Sequence, residues 1–354
     1  MKVLALNSSA RVGDVSKTEI MLDCLVQGMR EAGAEVEVIN LQKRKIRYCI
    51  GCFTCWTKTP GLCIHKDDMT KEIFPKFLDS DLCVLATPLY HYTINALMKT
   101  FIERTLPALQ PFFEKRDGVT KHPRRHEVPL IAVISVAGFP EENVFDQLKS
   151  YVNFLFRDRL AAEIYRSSAE MLRTESTFPK IKDILEATVQ GGKELVEFKM
   201  ISPETLERIK KPITDFEKMA PLGNCAWQTC IDEKVTMGEF QKRKMVPRPN
   251  SIESFLAIMQ EGFNPVKAGD KKMSMQYNFS GQVEGSCNFT VEQGRLTAAA
   301  GQMADPDLTV ETPFEVWMDI LTGKADGAQM LMEGKYTVTG QTDLLLNMDQ
   351  FFGE

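Results

Sequence analysis

The sequence predicts two different folds in tandem. The first half reads as a doubly wound α/β sheet of parallel strands, and the last third as an α+β domain with an antiparallel sheet. Three observations carry this. Apolar runs alternate with amphipathic helical segments through the first half, the pattern of a parallel sheet covered on both faces. From about Ser251 onward the apolar period shortens to two, which marks half-buried strands. The chain has 354 residues, too many for one ordinary core of about 100–200 residues.

Lys2–Leu6 is the first apolar strand. Ser16–Ala32 reads as a helix with Met21, Leu25 and Met29 on one stripe; Ser16 and Glu19 fit a capping box, and Gly33 closes the far end. Val36 and Val38 alternate in a second strand, Asp67–Asp79 is a helix, and Leu82–Thr87 is a continuous apolar strand ended by Pro88. Ile94–Leu106 and Asn143–Phe156 follow as helices around the buried strand Val128–Val136, with a short run at Ala162–Arg166. The middle is polar and helical, Ile181–Met200 and then Pro203–Met219, before a basic, proline-bearing stretch from Arg243 to Pro249. Beyond it, Met273, Met275, Tyr277 and Phe279 alternate with polar residues, and Cys287, Phe289 and Val291 repeat the pattern. Gln293-Gly294 turns into Leu296–Ala300, and Thr312-Pro313-Phe314-Glu315 reads as a capping box opening a helix to Leu321. Tyr336–Thr339 and Leu344–Met348 complete this domain. The expected domains are therefore 1–175, a helical connector 176–250, and 251–354.

The formal net charge is -5, which argues against a generally basic, nucleic-acid-coating protein. The longest apolar stretch, Leu130–Phe139, is interrupted by Ser135 and falls short of the roughly 18 residues of a membrane span. With no signal-like leader, the expectation is a soluble cytoplasmic protein. An odd count of nine cysteines argues against a disulfide framework. Cys24, Cys83, Cys225, Cys230 and Cys287 are scattered, mostly in apolar or strand-like settings.

Between the first strand and first helix, Asn7–Thr18 gathers hydroxyls, Arg11 and Lys17. A helix N-terminus attracts phosphate through its unpaired N–H groups and positive dipole end. The loop is neither a Walker sequence nor Gly-x-Gly-x-x-Gly. In this position it suits the phosphate of flavin mononucleotide, with Ser8, Arg11, Ser16, Lys17 and Thr18 as candidate contacts; a plain capped strand–helix turn is the alternative. Pro88, Leu89 and Tyr90 after the third strand, and Gly138 after the fourth, are expected to meet the same crevice. Tyr90 is placed to border or stack on a planar ring, although a tyrosine there serves packing equally well. His91 reads as structural. No catalytic acid or base is nominated, because a flavin carries its own chemistry.

Cys49-x2-Cys52-x2-Cys55-x7-Cys63 places four thiols within one short loop. The two x2 spacings match the start of a ferredoxin-type [4Fe–4S] run, whereas the fourth cysteine comes later and is followed by Ile64 rather than proline. Structural zinc, which usually takes two separated pairs, and plain or redox-paired thiols such as Cys52–Cys55 are the alternatives.

These residues resemble a known group. The Asn7–Thr18 loop, Cys49-Ile50-Gly51-Cys52-Phe53-Thr54-Cys55-Trp56, Pro60-Gly61-Leu62-Cys63, Lys66-Asp67-Asp68-Met69 and Thr87-Pro88-Leu89-Tyr90 are similar to the NAD(P)H-dependent FMN reductase and iron–sulfur flavoprotein group, with its flavodoxin-like fold, over about Met1–Glu170. The loop departs from the usual Gly-Ser-Pro-Arg form, having Asn7 and Ser9-Ala10 in place of Gly and Pro. The resemblance implies FMN held by the first loop and the Pro88 loop, a homo-oligomer and, in cluster-bearing members, [4Fe–4S] on the compact cysteines. The last third resembles a sterol carrier protein type 2 domain through Gly301-Gln302-Met303-Ala304-Asp305-Pro306-Asp307, Thr312-Pro313-Phe314-Glu315, Gly323-Lys324-Ala325-Asp326 and Met332–Gly340. That family encloses an apolar tunnel for lipid-like ligands, and the Met-rich composition is compatible with it. The functional expectation is an FMN-dependent oxidoreductase taking electrons from NAD(P)H or a redox protein, with an appended sterol-carrier-like, lipid-binding domain. The rivals are a lipid carrier on a non-catalytic flavodoxin-like scaffold and a zinc or thiol redox sensor.

Overall fold

Strand β1 (Lys2–Asn7) has every residue after Lys2 buried, and the rest of the first sheet is built around it. In chain order follow α1 (Lys17–Glu31), β2 (Glu35–Asn40), a π-helical turn Met69–Ile73 running into α2 (Phe74–Asp79), β3 (Leu82–Tyr90), β4 (Thr93–Ile94) and α3 (Ala96–Glu103). A small hairpin of β5 (Glu114–Arg116) and β6 (Val119–Lys121), then β7 (Leu130–Val136), α4 (Asp146–Phe156), β8 (Leu160–Arg166), α5 (Phe178–Phe198) and α6 (Pro203–Lys210) complete the first unit. The computed structural model describes all residues except 12–15, 117, 174–177 and 353–354. It comprises two units, Met1–Asp215 and Phe216–Glu354, so the stretch 176–250 is shared between them.

In the first unit the strand order is β2-β1-β3-β7-β8, all parallel. This is the flavodoxin-like order, whose switch point lies between the first and third strands. Alternate residues serve opposite faces. Val3, Ala5, Val84 and Ile134 pack toward α1 and α5, while Leu4, Leu6, Leu85 and Val133 pack toward α2, α3 and α4. Helices α1 and α5 meet backbone to backbone: a Cβ on Gly28 would sit 1.8 Å from the Val189 carbonyl oxygen, and one on Gly192 would sit 2.1 Å from that of Leu25. The single helix expected over Pro203–Met219 is broken. α6 stops at Lys210 and α7 opens at Phe216, because Pro212 disfavours helical backbone at Lys211.

The second unit holds α7 (Phe216–Glu233), α8 (Met237–Lys242), α9 (Ile252–Glu261), α10 (Pro265–Ala268), β9 (Met273–Ser280), β10 (Gly285–Glu292), β11 (Arg295–Ala300), β12 (Leu308–Pro313), α11 (Phe314–Leu321), α12 (Gly327–Met332), β13 (Thr337–Gly340) and α13 (Thr342–Leu346). Its sheet runs β11-β10-β9-β12-β13. The expected purely antiparallel sheet is corrected here, since β12 pairs with β9 in parallel. Parallel pairing needs a crossover connection, and the buried Gln276 on β9 anchors it. Its Nε2 donates to Gly301 O and its Oε1 accepts from Met303 N at 2.9 Å, holding the segment after β11 against β9 on its way to β12. The expected capping box at Thr312 is also absent. Thr312 belongs to β12, Pro313 takes the cap position without a side-chain bond, and Glu315 instead accepts from Gln282 N at 3.0 Å.

Candidate functional site

Four loops at the carboxyl edge of the first sheet are tied into one rim. Ser8 directs both its N–H (2.9 Å) and its hydroxyl (3.1 Å) to Ala86 O, so this expected ligand contact is spent on locking the loop to β3. Asn95, the N-cap of α3, donates to Ser8 O at 2.6 Å, and its own N–H reaches Thr87 Oγ1 at 3.2 Å. The loop after β7 is stitched to the end of β8 by Ala137 N to Arg166 O (2.9 Å) and Ser168 N to Phe139 O (2.7 Å). First and last loops meet where Arg11 Nη1 lies 3.3 Å, and Lys17 Nζ 3.7 Å, from the Glu170 carboxylate.

The start of α1 gathers hydroxyls and cations round a capped helix end. Ser16 is buried, caps Glu19 N at 3.2 Å and donates to Ser9 Oγ at 2.9 Å. Ser9 in turn accepts from Arg11 N at 3.2 Å, and Asn7 Oδ1 accepts from Ser9 N. Lys17 and Thr18 are buried beside them. Residues 12–15 of the expected phosphate loop lie outside the described residues.

β3 runs past Pro88, which still pairs with Val136, and Leu89 and Tyr90 form a hairpin with Ile94 and Thr93. Part of the backbone expected to face a ligand is thus committed to β4. Both turn residues, His91 and Tyr92, have positive φ (47° and 63°), the two-residue hairpin geometry that usually recruits Asn or Gly. The turn projects Tyr92 outward, where its ring stacks within 7° of parallel on Phe139, centroids 6.5 Å apart. Tyr90 is exposed at the same edge, and Gly138 leaves room beside the Glu170 side chain.

The cysteine loop is held at its two stems. Lys45 N donates to Asp68 Oδ2 at 2.8 Å and Arg47 N to Asp67 Oδ2 at 2.9 Å. Arg104, at the end of α3, clamps both stems: Nη1 reaches Arg47 O (2.6 Å) and Asp67 Oδ2 (2.7 Å), while Nη2 reaches Asp67 Oδ1 (3.0 Å) and Thr70 Oγ1 (2.9 Å). Burial alone would push Asp67 up, but the Arg104 ion pair and the Arg47 and Thr70 N–H groups outweigh it and hold the carboxyl well below the usual range. Between the stems the chain turns tightly, with Gly51, Phe53 and Gly61 at positive φ and Gly61 N bonded to Cys55 O at 2.9 Å. Cys49, Cys52, Cys55 and Cys63 all line one cavity together with Arg104 and Pro107. Burial and the neighbouring Cys63 raise Cys55, whereas hydrogen bonding to Thr54 lowers Cys52. Among the described residues, no three His, Cys, Asp or Glu side chains converge on a point suited to one metal ion.

In the second unit, Phe255, Tyr277, Phe279, Phe289 and Trp317 interlock in the core. The Tyr277 hydroxyl is sealed there without a hydrogen-bond partner. Of the scattered cysteines, Cys83, Cys225, Cys230 and Cys287 are buried and Cys24 is half-buried. Sequence reading placed the loops carrying Asn7, Ser9, Thr87 and Phe139 at the site without singling these residues out, and it missed Asn95, Glu170 and the Asp67–Arg104 pair. The Asn95, Glu170 and Asp67–Arg104 contacts join segments far apart in the chain, whereas Asn7 and Ser9 bond within their own loop.

The first unit, with a parallel sheet of this order, has the flavodoxin-like fold. Residues 1–138 match the model of the NADPH-dependent FMN reductase family and residues 274–353 that of the SCP-2 sterol transfer family. Each match covers less than half of the chain. It is 41% identical over 102 residues to an iron-sulfur flavoprotein of Archaeoglobus fulgidus, covering 29% of this chain and 44% of that protein. It is 32% identical over 104 residues to an iron-sulfur flavoprotein of Methanocaldococcus jannaschii, covering 29% and 50%. The chain spans about half the length of the curated relatives it matches. Among solved structures, an NAD(P)H:quinone oxidoreductase from Methanothermobacter marburgensis aligns with 55% of this chain and 96% of its own, at 17% identity and a TM-score of 0.42. Among the described residues no helix is long and apolar enough to cross a membrane.

Proposed function

We propose that the chain is an FMN-dependent oxidoreductase that receives electrons from NAD(P)H or a redox protein and carries a [4Fe–4S] cluster on Cys49, Cys52, Cys55 and Cys63. The observation that carries the flavin reading is the Glu170 carboxylate beside Arg11 and Lys17 at the capped start of α1. An internal anion sits where a phosphate is expected, so the rim fits the group. Arg11 and Lys17 supply charge, Ser16 holds the helix start open, and Ser8 and Asn95 keep that loop registered on β3. Tyr90, Tyr92 and Phe139 supply aromatic surface, and Gly138 allows close approach. Bound there, FMN supplies hydride and single-electron chemistry.

The cysteine cavity supports the cluster. Cys49, Cys52, Cys55 and Cys63 all line one space, and their two x2 spacings match the start of a [4Fe–4S] run. The relatives named iron-sulfur flavoproteins agree with this reading. The second domain is read as a binder of an apolar, lipid-like ligand, which the matched family supports. The chain is further read as a homo-oligomer.

The test is an anaerobic absorption spectrum with flavin, iron and sulfide analysis of the full chain. The expected result is one flavin and four irons per chain (roughly, allowing for incomplete loading). Ser16→Ala with Lys17→Ala should weaken FMN binding at least about tenfold, which is the loss of about 1.4 kcal/mol. Unchanged affinity in a flavin titration would remove the phosphate from this loop.

A further inference from the structure

A buried arginine offers five N–H donors and accepts nothing. In Arg104, four hydrogen bonds occupy the two terminal nitrogens, tying the stems of the cysteine loop together. The fifth donor, Nε, is buried and has no partner. Buried orphan donors are rare enough that each calls for an acceptor or an unseen group. Arg104 is 2% exposed and lines the same cavity as all four cysteines. Its guanidinium lies within interaction range of Cys63. Asp67, which balances its charge, does not line that cavity. The other charged lining residue, Glu103, is paired with Lys99 at 2.6 Å. A fixed positive group therefore lines the same space as the four cysteines, with Cys63 close enough to interact with it by charge and hydrogen bond and with Nε held by no other acceptor.

We infer that Arg104 tunes the redox group held by Cys49, Cys52, Cys55 and Cys63, its Nε donating to a sulfur of that group and its charge favouring the reduced state. The inference rests on the cluster reading above. In the step concerned, one electron from a low-potential chemical reductant such as dithionite enters the cluster, its charge becomes one unit more negative, and no bond to the protein forms or breaks. A hydrogen bond to sulfur and a nearby cation both stabilise the more negative state. Arg104 is a tuning and positioning residue and takes no part in bond making.

The experiment is a dithionite titration of the full chain with redox mediators, followed by low-temperature electron paramagnetic resonance, after iron and sulfide analysis. Absence of iron and sulfide in the wild-type protein would sink the cluster reading itself, and this inference with it. With the cluster present, Arg104→Gln paired with Asp67→Asn removes both charges without leaving either buried alone. The ratio of reduced to oxidised cluster at a fixed potential should fall at least tenfold, a shift of about 59 mV to lower potential for one electron. Arg104→Lys, which keeps the charge but loses the fork, should fall in between. An unchanged potential in an iron-loaded double variant overturns the inference. Should the variants fail to load, the wild-type protein labelled with ¹⁵N-arginine decides. Electron–nuclear double resonance of the reduced cluster should show a coupled arginine nitrogen, and its absence excludes the hydrogen bond.

Discussion

The two units bury polar groups in opposite ways. In the first, Arg104 and Asp67 are almost sealed from solvent, and their shared hydrogen bonds join α3 to both stems of a loop that the chain reaches more than thirty residues earlier. In the second, the Tyr277 hydroxyl lies in a shell of aromatic rings and bonds to nothing. The first arrangement fixes a loop in place, because removing either partner strands the other. The second leaves a buried hydroxyl unsatisfied, so its cost of burial needs another reason, and under the proposed lipid-binding reading a ligand's polar end would supply one.

The contrast predicts effects of different size and sign. Asp67→Ala leaves a buried guanidinium unpaired and should cost about 3–5 kcal/mol, measured by chemical denaturation of the first unit's transition. A cost below about 1 kcal/mol would mean that the pair does not hold the loop. The same carboxyl sets an acid limit. Its value is held well below the ordinary 3.8, so its contribution is fully present above about pH 4 and is lost as pH falls further. Acid unfolding followed by tryptophan fluorescence should show this loss, and Asp67→Ala should flatten it.

Tyr277→Phe should act in the other direction, stabilising the second unit by about 1 kcal/mol through removal of an unsatisfied hydroxyl. If the hydroxyl serves a ligand, the same variant should bind a fluorescent fatty acid more weakly than the wild type while melting at a higher temperature. A lower melting temperature would show that the hydroxyl is satisfied in solution. The smallest effect belongs to the exposed Arg11–Glu170 pair. Glu170→Gln should move stability by less than about 0.5 kcal/mol, as surface ion pairs do. It should nevertheless tighten FMN a few-fold by removing a negative charge beside Arg11, and weaker binding in a flavin titration would mean that Glu170 helps to hold the cofactor.

Much of the scaffold was legible from periodicity. The stripe of Met21, Leu25 and Met29 is fully buried on α1, and the alternation of Met273 to Phe279 is β9. The cysteine loop was legible from spacing alone, since local turns bring all four thiols to one cavity. What failed was whatever depended on distant partners. Arg104 sits at a helix end, where a charge normally points to water, and nothing local shows Asp67 waiting for it. Ser8 has the chemistry of a ligand contact, yet Ala86 across the sheet uses its hydrogen bonds. Thr312 has a capping sequence but was drawn into β12 by pairing with Phe279. Short-range pattern sets the elements, and long-range pairing decides which polar groups remain available.

The Gly28–Gly192 approach has a practical consequence for dissecting the protein. Because two helices touch there through bare main chain, α5 is part of the first unit's interior rather than a strut leading to the second. A fragment ended near residue 175 would strip one wall from α1 and invite aggregation. A cut after Asp215, at the boundary between the units, should yield a first unit that survives on its own.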